Sequence, residues 1–159
     1  MTENHELSVT RLIDAPVDAV WKAFTEHLEE WWCPRPWTTE LLELDLRAGG
    51  RIATIMRGPN GEGGEPMEGV VLEAVPARRV VWTNALDAQW QPQTSPVANL
   101  VGAFEFEPEG DKTRYRASAR HWDQESAAKH DKMGFSDGWG VVAEQLEEVA
   151  KRLAAQVDA

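Results

Sequence analysis

The chain has 159 residues and one cysteine, which suits a single domain spanning 1–159 and excludes an internal disulfide. With 42% hydrophobic and 27% charged residues it has a globular composition, able to bury roughly 70% of its unfolded surface, which excludes disordered and collagen-like chains. Sixteen Lys and Arg against 27 Asp and Glu give a net charge of -11, which repels phosphate backbones and anionic headgroups, so neither nucleic acid nor a membrane is an expected partner.

No apolar run nears the ~18 residues that span a bilayer, and the opening MTENHELSVT has no basic or hydrophobic leader, which predicts a cytoplasmic location. Leu7, Val9, Arg11 and Ile13 alternate as a strand that Asp14-Ala15-Pro16 ends. Val20, Trp21, Phe24 and Leu28 then recur at helical spacing up to Glu30. The proline-broken stretch Trp31 to Trp37 predicts a bulky loop or a short second helix. From Thr39 the period becomes two: Leu42, Leu44 and Leu46 oppose Glu43, Asp45 and Arg47 on a strand ending at Gly49-Gly50. Ile52, Thr54 and Met56 continue on the next strand, and Asn60-Gly61 marks a tight turn before an apolar strand from Gly69 to Val75. Further strands are predicted at Arg79 to Asn84, Val97 to Phe106 and Thr113 to His121. The clearest pattern comes last, where Trp139, Val142, Leu146, Val149 and Leu153 step along one face of a long helix. Ser136 or Asp137 can cap its start, while Glu147 to Lys151 and Glu148 to Arg152 are i,i+4 pairs.

Few motifs carry chemistry. Gly58, Gly61, Gly63 and Gly64 precede a strand with no GK[ST], so they read as a hairpin turn rather than a phosphate loop. His5, His27, His121, His130 and Cys33 lack zinc-site spacing, and neither a metal nor a cofactor is expected. No Ser sits in a G-x-S-x-G elbow, and Asp123 and Asp131 read as solvated loop charges. Glu73 and His121 each fall within an otherwise apolar strand, where burial shifts a pKa, so they form the candidate acid/base pair. Eight Trp against four Phe and one Tyr is the odd ratio, since indole lines pockets as well as cores. Small residues, Ala117, Ala119 and Gly102, recur on strands expected to face the last helix; either a space or closer helix packing accounts for them.

The segments Arg11-Leu12-Ile13-Asp14-Ala15-Pro16, Val20 to Thr25, Trp31-Trp32, Asp45 to Gly50, Gly58 to Gly61 and Gly138-Trp139, in that order, resemble the family named for the activator of heat-shock-protein-90 ATPase. The family's usual glycine between Trp-Trp and Pro is Cys33 here. The resemblance implies the α+β helix-grip fold of the START and birch-pollen-allergen (SRPBCC) superfamily: two short helices after the first strand, and a curved antiparallel sheet of six to seven strands around a long C-terminal helix. It also implies a cavity for apolar or aromatic small molecules, but not catalysis. The leading expectation is a small-molecule binding protein whose cavity lies between the sheet and the C-terminal helix, with Trp32, Met56, Trp82, Phe104, Ala117, His121, Trp139 and Val142 at the mouth and walls, where Ala117→Trp fills the space. The alternatives are a cyclase- or hydrolase-type enzyme using Glu73 and His121, and a chaperone-associated interaction module presenting the Trp31 to Trp37 loop. The related eukaryotic co-chaperone has a second domain that these residues do not supply, so no stimulation of a chaperone ATPase is expected. A homodimer is compatible with the composition.

Overall fold

A computed structural model describes residues 5–95 and 98–157; the expected strand start at Val97 and the first four residues of the opening segment lie outside these. Among the described residues the order is β1 (Glu6–Ile13), α1 (Val17–Glu26), α2 (Leu28–Trp31), β2 (Thr38–Leu44), β3 (Arg51–Arg57), β4 (Gly63–Val75), β5 (Arg79–Thr83), β6 (Leu100–Glu109), β7 (Lys112–His121), α3 (Gln124–Lys132) and α4 (Phe135–Val157). The seven strands make one curved antiparallel sheet in the order β1-β7-β6-β5-β4-β3-β2. This is the helix-grip architecture that the sequence predicts.

Chain chemistry accounts for the element boundaries. Pro16, at φ -67°, caps α1, which buries Ala19, Val20, Ala23 and Phe24. His27 leaves helical geometry and separates α1 from the single turn of α2. On α4, Val142, Ala143, Leu146, Val149, Ala150 and Leu153 join α1 and the inner face of β6 and β7 in the main core, with Ile13, Phe106 and Tyr115. The phenol of Tyr115 lies wholly inside, and burial drives its pKa upward.

The structure departs from the sequence reading at five places. On β2 the alternation fails: a bulge between Leu41 and Glu43 turns Leu42 to solvent, while Thr39 is buried and Leu41 and Leu44 are half-buried. β4 starts at Gly63 rather than Gly69, because the Asn60-Gly61 turn is tight enough for pairing to resume at Arg57 and Gly63. The loop expected around Asp123 and Asp131 is helix α3, with the Asp123 carboxylate accepting from the Ser126 backbone N–H at 2.7 Å. α4 begins at Phe135, so Ser136 and Asp137 lie in its first turn, and Gly134, at φ +93°, makes the turn from α3. Finally, Glu147 and Glu148 bond across elements, to Arg11 at 2.8 Å and to Arg35, and Arg152 reaches Glu30 at 2.8 Å. Burial opposes ionisation of Glu147, but the Asp14 backbone N–H and Arg11 outweigh it and hold the carboxyl below its usual range.

Candidate functional site

α4 packs mainly on α1, then on α2 and β1, while α2 packs on β2 at the β2–β5 end of the sheet. That end is roofed by the aromatic side chains of α1 and α2, which leave a void of about 80 Å³. Phe24, Leu28, Trp31 and Trp32 form the roof; Leu44 of β2, Ile52, Thr54 and Met56 of β3, Met67 and Gly69 of β4, Val80 and Trp82 of β5 and Phe104 of β6 form floor and walls. Glu68 and Asn84 also contribute to the lining. The surface is apolar and adaptable, with two methionines whose unbranched chains can swing.

The roof is anchored from below. Trp31 is 1% exposed, and its indole N–H donates to the Ala23 carbonyl at 3.0 Å. Gln145, buried on α4, donates to the carbonyls of Trp31 and Cys33, both at 3.0 Å, and accepts from the Arg35 backbone N–H at 3.1 Å. The Thr39 hydroxyl donates to the Trp32 carbonyl. Cys33 stands at φ +96°, a left-handed conformation that favours glycine, which gives a backbone reason for the glycine usual in the resembling family. Burial pushes the Cys33 thiol up, against the opposing bond to Thr39.

Of the eight residues expected at the site, Trp32, Met56, Trp82 and Phe104 line the void. Trp139 stands behind the wall, its ring stacked 6.1 Å from Phe104 and edge-on 5.8 Å from Trp32. Ala117 and Val142 are buried in the main core and are not among the residues that line the void, Ala117 in register with Phe104 and Val9. The room that Gly102 leaves is taken by the Trp82 indole, which a Cβ at that position would strike. The sequence reading missed Ile52 and Thr54, although their alternation with Met56 puts all three on one face of β3. Gln145 carried no signal, since one amide on a helix reveals nothing of the carbonyls opposite it.

His121 is also away from the void. Its Nδ1 donates to the His5 carbonyl at 3.0 Å, and its Nε2 shares a hydrogen bond with His130 Nδ1 at 2.8 Å. His130 in turn lies edge-on to Phe135 and Trp139, at 5.1 and 6.4 Å between ring centres. Burial first, and His121 second, hold the His130 pKa below the ordinary imidazole value, partly offset by Asp131. Glu73 is no partner to this pair: it is half-exposed beside Arg79 at 3.3 Å, next to a bulge between Val71 and Glu73. β5 and β6 separate it from β7, a span of about 14 Å at the usual strand spacing. In the Trp31 to Trp37 loop Trp31 and Cys33 are buried, Trp32 and Trp37 are half-buried, and Arg35 and Pro36 are exposed. Among the described residues, no three His, Cys, Asp or Glu side chains gather as a metal site, and no helix is long and apolar enough to cross a membrane.

A curved antiparallel sheet closed by α1 and a long C-terminal helix, with an aromatic-walled void at one end, defines a helix-grip protein. The chain belongs to the Activator of Hsp90 ATPase homolog 1-like protein family, which matches residues 14–151. A crystal structure of a protein from Nitrosomonas europaea is similar over 98% of this chain and 99% of its own, at 34% identity and a TM-score of 0.88. A solution structure from Arthrobacter aurescens covers 94% of this chain and 87% of its own at 22% identity, with a TM-score of 0.80. The AHSA1-like protein of Aeromonas hydrophila covers 92% of both chains at 16% identity and a TM-score of 0.68. Comparison with curated proteins finds no match.

Proposed function

We propose that the protein binds an apolar or aromatic small molecule in the void between the α1–α2 roof and strands β3 to β6, and carries it within the cytoplasm without transforming it. The observation that supports this reading is the void itself, about 80 Å³ of space walled by aromatic, aliphatic and methionine side chains. A dry cavity of ~150 Å³ accepts benzene, so a ring enters here once Met56 or Met67 swings aside. The enzyme alternative loses its basis with the separation of Glu73 from His121, and the interaction-module alternative with the burial of Trp31.

Filling the void tests the proposal. Thr54 is buried on the void's floor, and Thr54→Phe adds a ring on the scale of the space at a cost of about 1–3 kcal/mol or less. The wild type is expected to bind a hydrophobic fluorescent probe with saturation, and the folded variant to lose that binding. Undiminished binding by folded Thr54→Phe overturns the assignment of the site.

A further inference from the structure

Resting on that reading, we infer that the bound molecule is an amphiphilic alcohol, whose apolar body fills the void and whose hydroxyl end passes Met67 into an adjoining polar cleft, where Gln93 and Thr94 bond it. The cleft measures about 110 Å³ and shares Met67, Glu68 and Asn84 with the wall of the void. Met67 lines the void and yet is 43% exposed, so its side chain stands between that space and solvent. An unbranched thioether turns aside at little cost, which makes Met67 the place where a guest longer than the void emerges.

The chain that follows β5 builds the cleft. The Asp87 carboxylate accepts from the backbone N–H groups of Gln89 and Gln91 at 2.8 and 2.9 Å, and Leu86 bridges to Pro92, so the segment folds back toward the end of β4 and β5. Gln93 is fixed there twice over. Its backbone N–H donates to the Ala85 carbonyl at 2.8 Å, and its amide nitrogen donates to the carbonyls of Glu68 and Asn84 at 2.9 and 3.2 Å. Both amide hydrogens are thereby spent, which leaves Oε1 as an acceptor. Thr94 is exposed on the same lining, and its hydroxyl both donates and accepts. An alcohol matches the two, because its hydroxyl donates to Gln93 and accepts from Thr94, whereas an ether or a ketone only accepts and finds one partner. The Gln93 side chain is already ordered, so its bond to a guest costs little further entropy.

Displacement of a fluorescent probe by two near-isosteric pairs tests the inference: phenylbutanol against pentylbenzene, with the hydroxyl or methyl on a long chain, and benzyl alcohol against ethylbenzene, with it beside the ring. The wild type is expected to favour the alcohol over its hydrocarbon at least about tenfold more in the long pair than in the short one. That margin is expected to fall roughly threefold to tenfold in Gln93→Met, which keeps the chain length and removes the acceptor, and by a similar factor in Thr94→Val. Ratios within a pair are read because a loosened loop weakens both members alike. Equal preferences in the two pairs, or a margin that neither variant lowers, overturn the inference while the cavity reading stands. A fall in one variant alone still places the hydroxyl in the cleft. Binding of none of the four compounds to wild type sinks both readings. If Gln93→Met does not fold, Thr94→Val decides alone.

Discussion

The two ends of the one sheet are built differently. Where β6 and β7 face α1 and α4, Ile13, Val20, Tyr115 and Leu146 are each no more than 1% exposed and pack in one core. At the β2–β4 end, Leu44, Ile52 and Met56 are only half-buried and Met67 is 43% exposed, because the four-residue α2 is the helix that reaches β2. A long amphipathic helix thus fixes one end, and a short aromatic roof leaves the other loosely filled. Stability resides in the first and adaptability in the second, a division that local opening exploits.

Truncation at each end gives the largest expected contrast. Leu146→Ala opens a cavity in the closed end and is expected to cost about 2–5 kcal/mol, whereas Met56→Ala enlarges a space already present and should cost under about 1 kcal/mol. Denaturant midpoints measure both, and equal losses would abolish the distinction between the ends. A smaller effect separates the roof from its anchor. Gln145→Ala leaves the buried Trp31 and Cys33 carbonyls unpaired, with an expected loss of about 1–3 kcal/mol and weaker probe binding as the roof loosens. Loss of stability with probe affinity intact would mean that the roof holds itself.

The smallest effect is in pH. The folded state holds His130 below its ordinary pKa, so between that lowered value and the unfolded value near 6.5 the unfolded chain binds more protons. The stability from keeping His130 neutral is therefore full above about pH 6.5 and is lost as pH falls through its folded pKa. Melting temperature is expected to drop between about pH 7 and pH 5.5 in the wild type and to change less in His130→Gln, whose amide can still bond to His121. The Glu6, Glu30 and Glu147 contributions, also held low, disappear only at more acid pH, below about 4.5. Parallel wild-type and variant profiles would remove His130 as the source.

Much of this arrangement is legible in the residues, for identifiable reasons. Alternation in β6 and β7 and the stripe from Val142 to Leu153 are strong because one face of each is buried, while β1 alternates half-buried with exposed residues. α3 escapes because it is polar nearly all round and buries only Ala127 among its helical residues. The bulges at Leu41/Glu43 and Val71/Glu73 escape because a bulge is chosen by pairing with the next strand, not by local composition. This is why Leu42 and Glu73 were expected inside and stand outside. As for the site, Trp32, Met56, Trp82 and Phe104 are legible as inward-facing bulk, but residue type does not say whether a space adjoins it. Ala117 and Val142 face the same interior but do not line the void.

The pairing of β1 with β7 has a kinetic consequence. Its register joins Glu6 to Arg120 and Ile13 to Thr113, so the first strand must wait for β7, the last of the seven strands in chain order. The hairpins from β2 to β5 close short loops and can form early, while the β1–β7 closure must gather distant segments against the entropy of a long loop. The final zipping step is therefore the slow one. Until it occurs, a nascent chain exposes the free edge of β7 and leaves α1, tethered to β1, without its seat on the sheet.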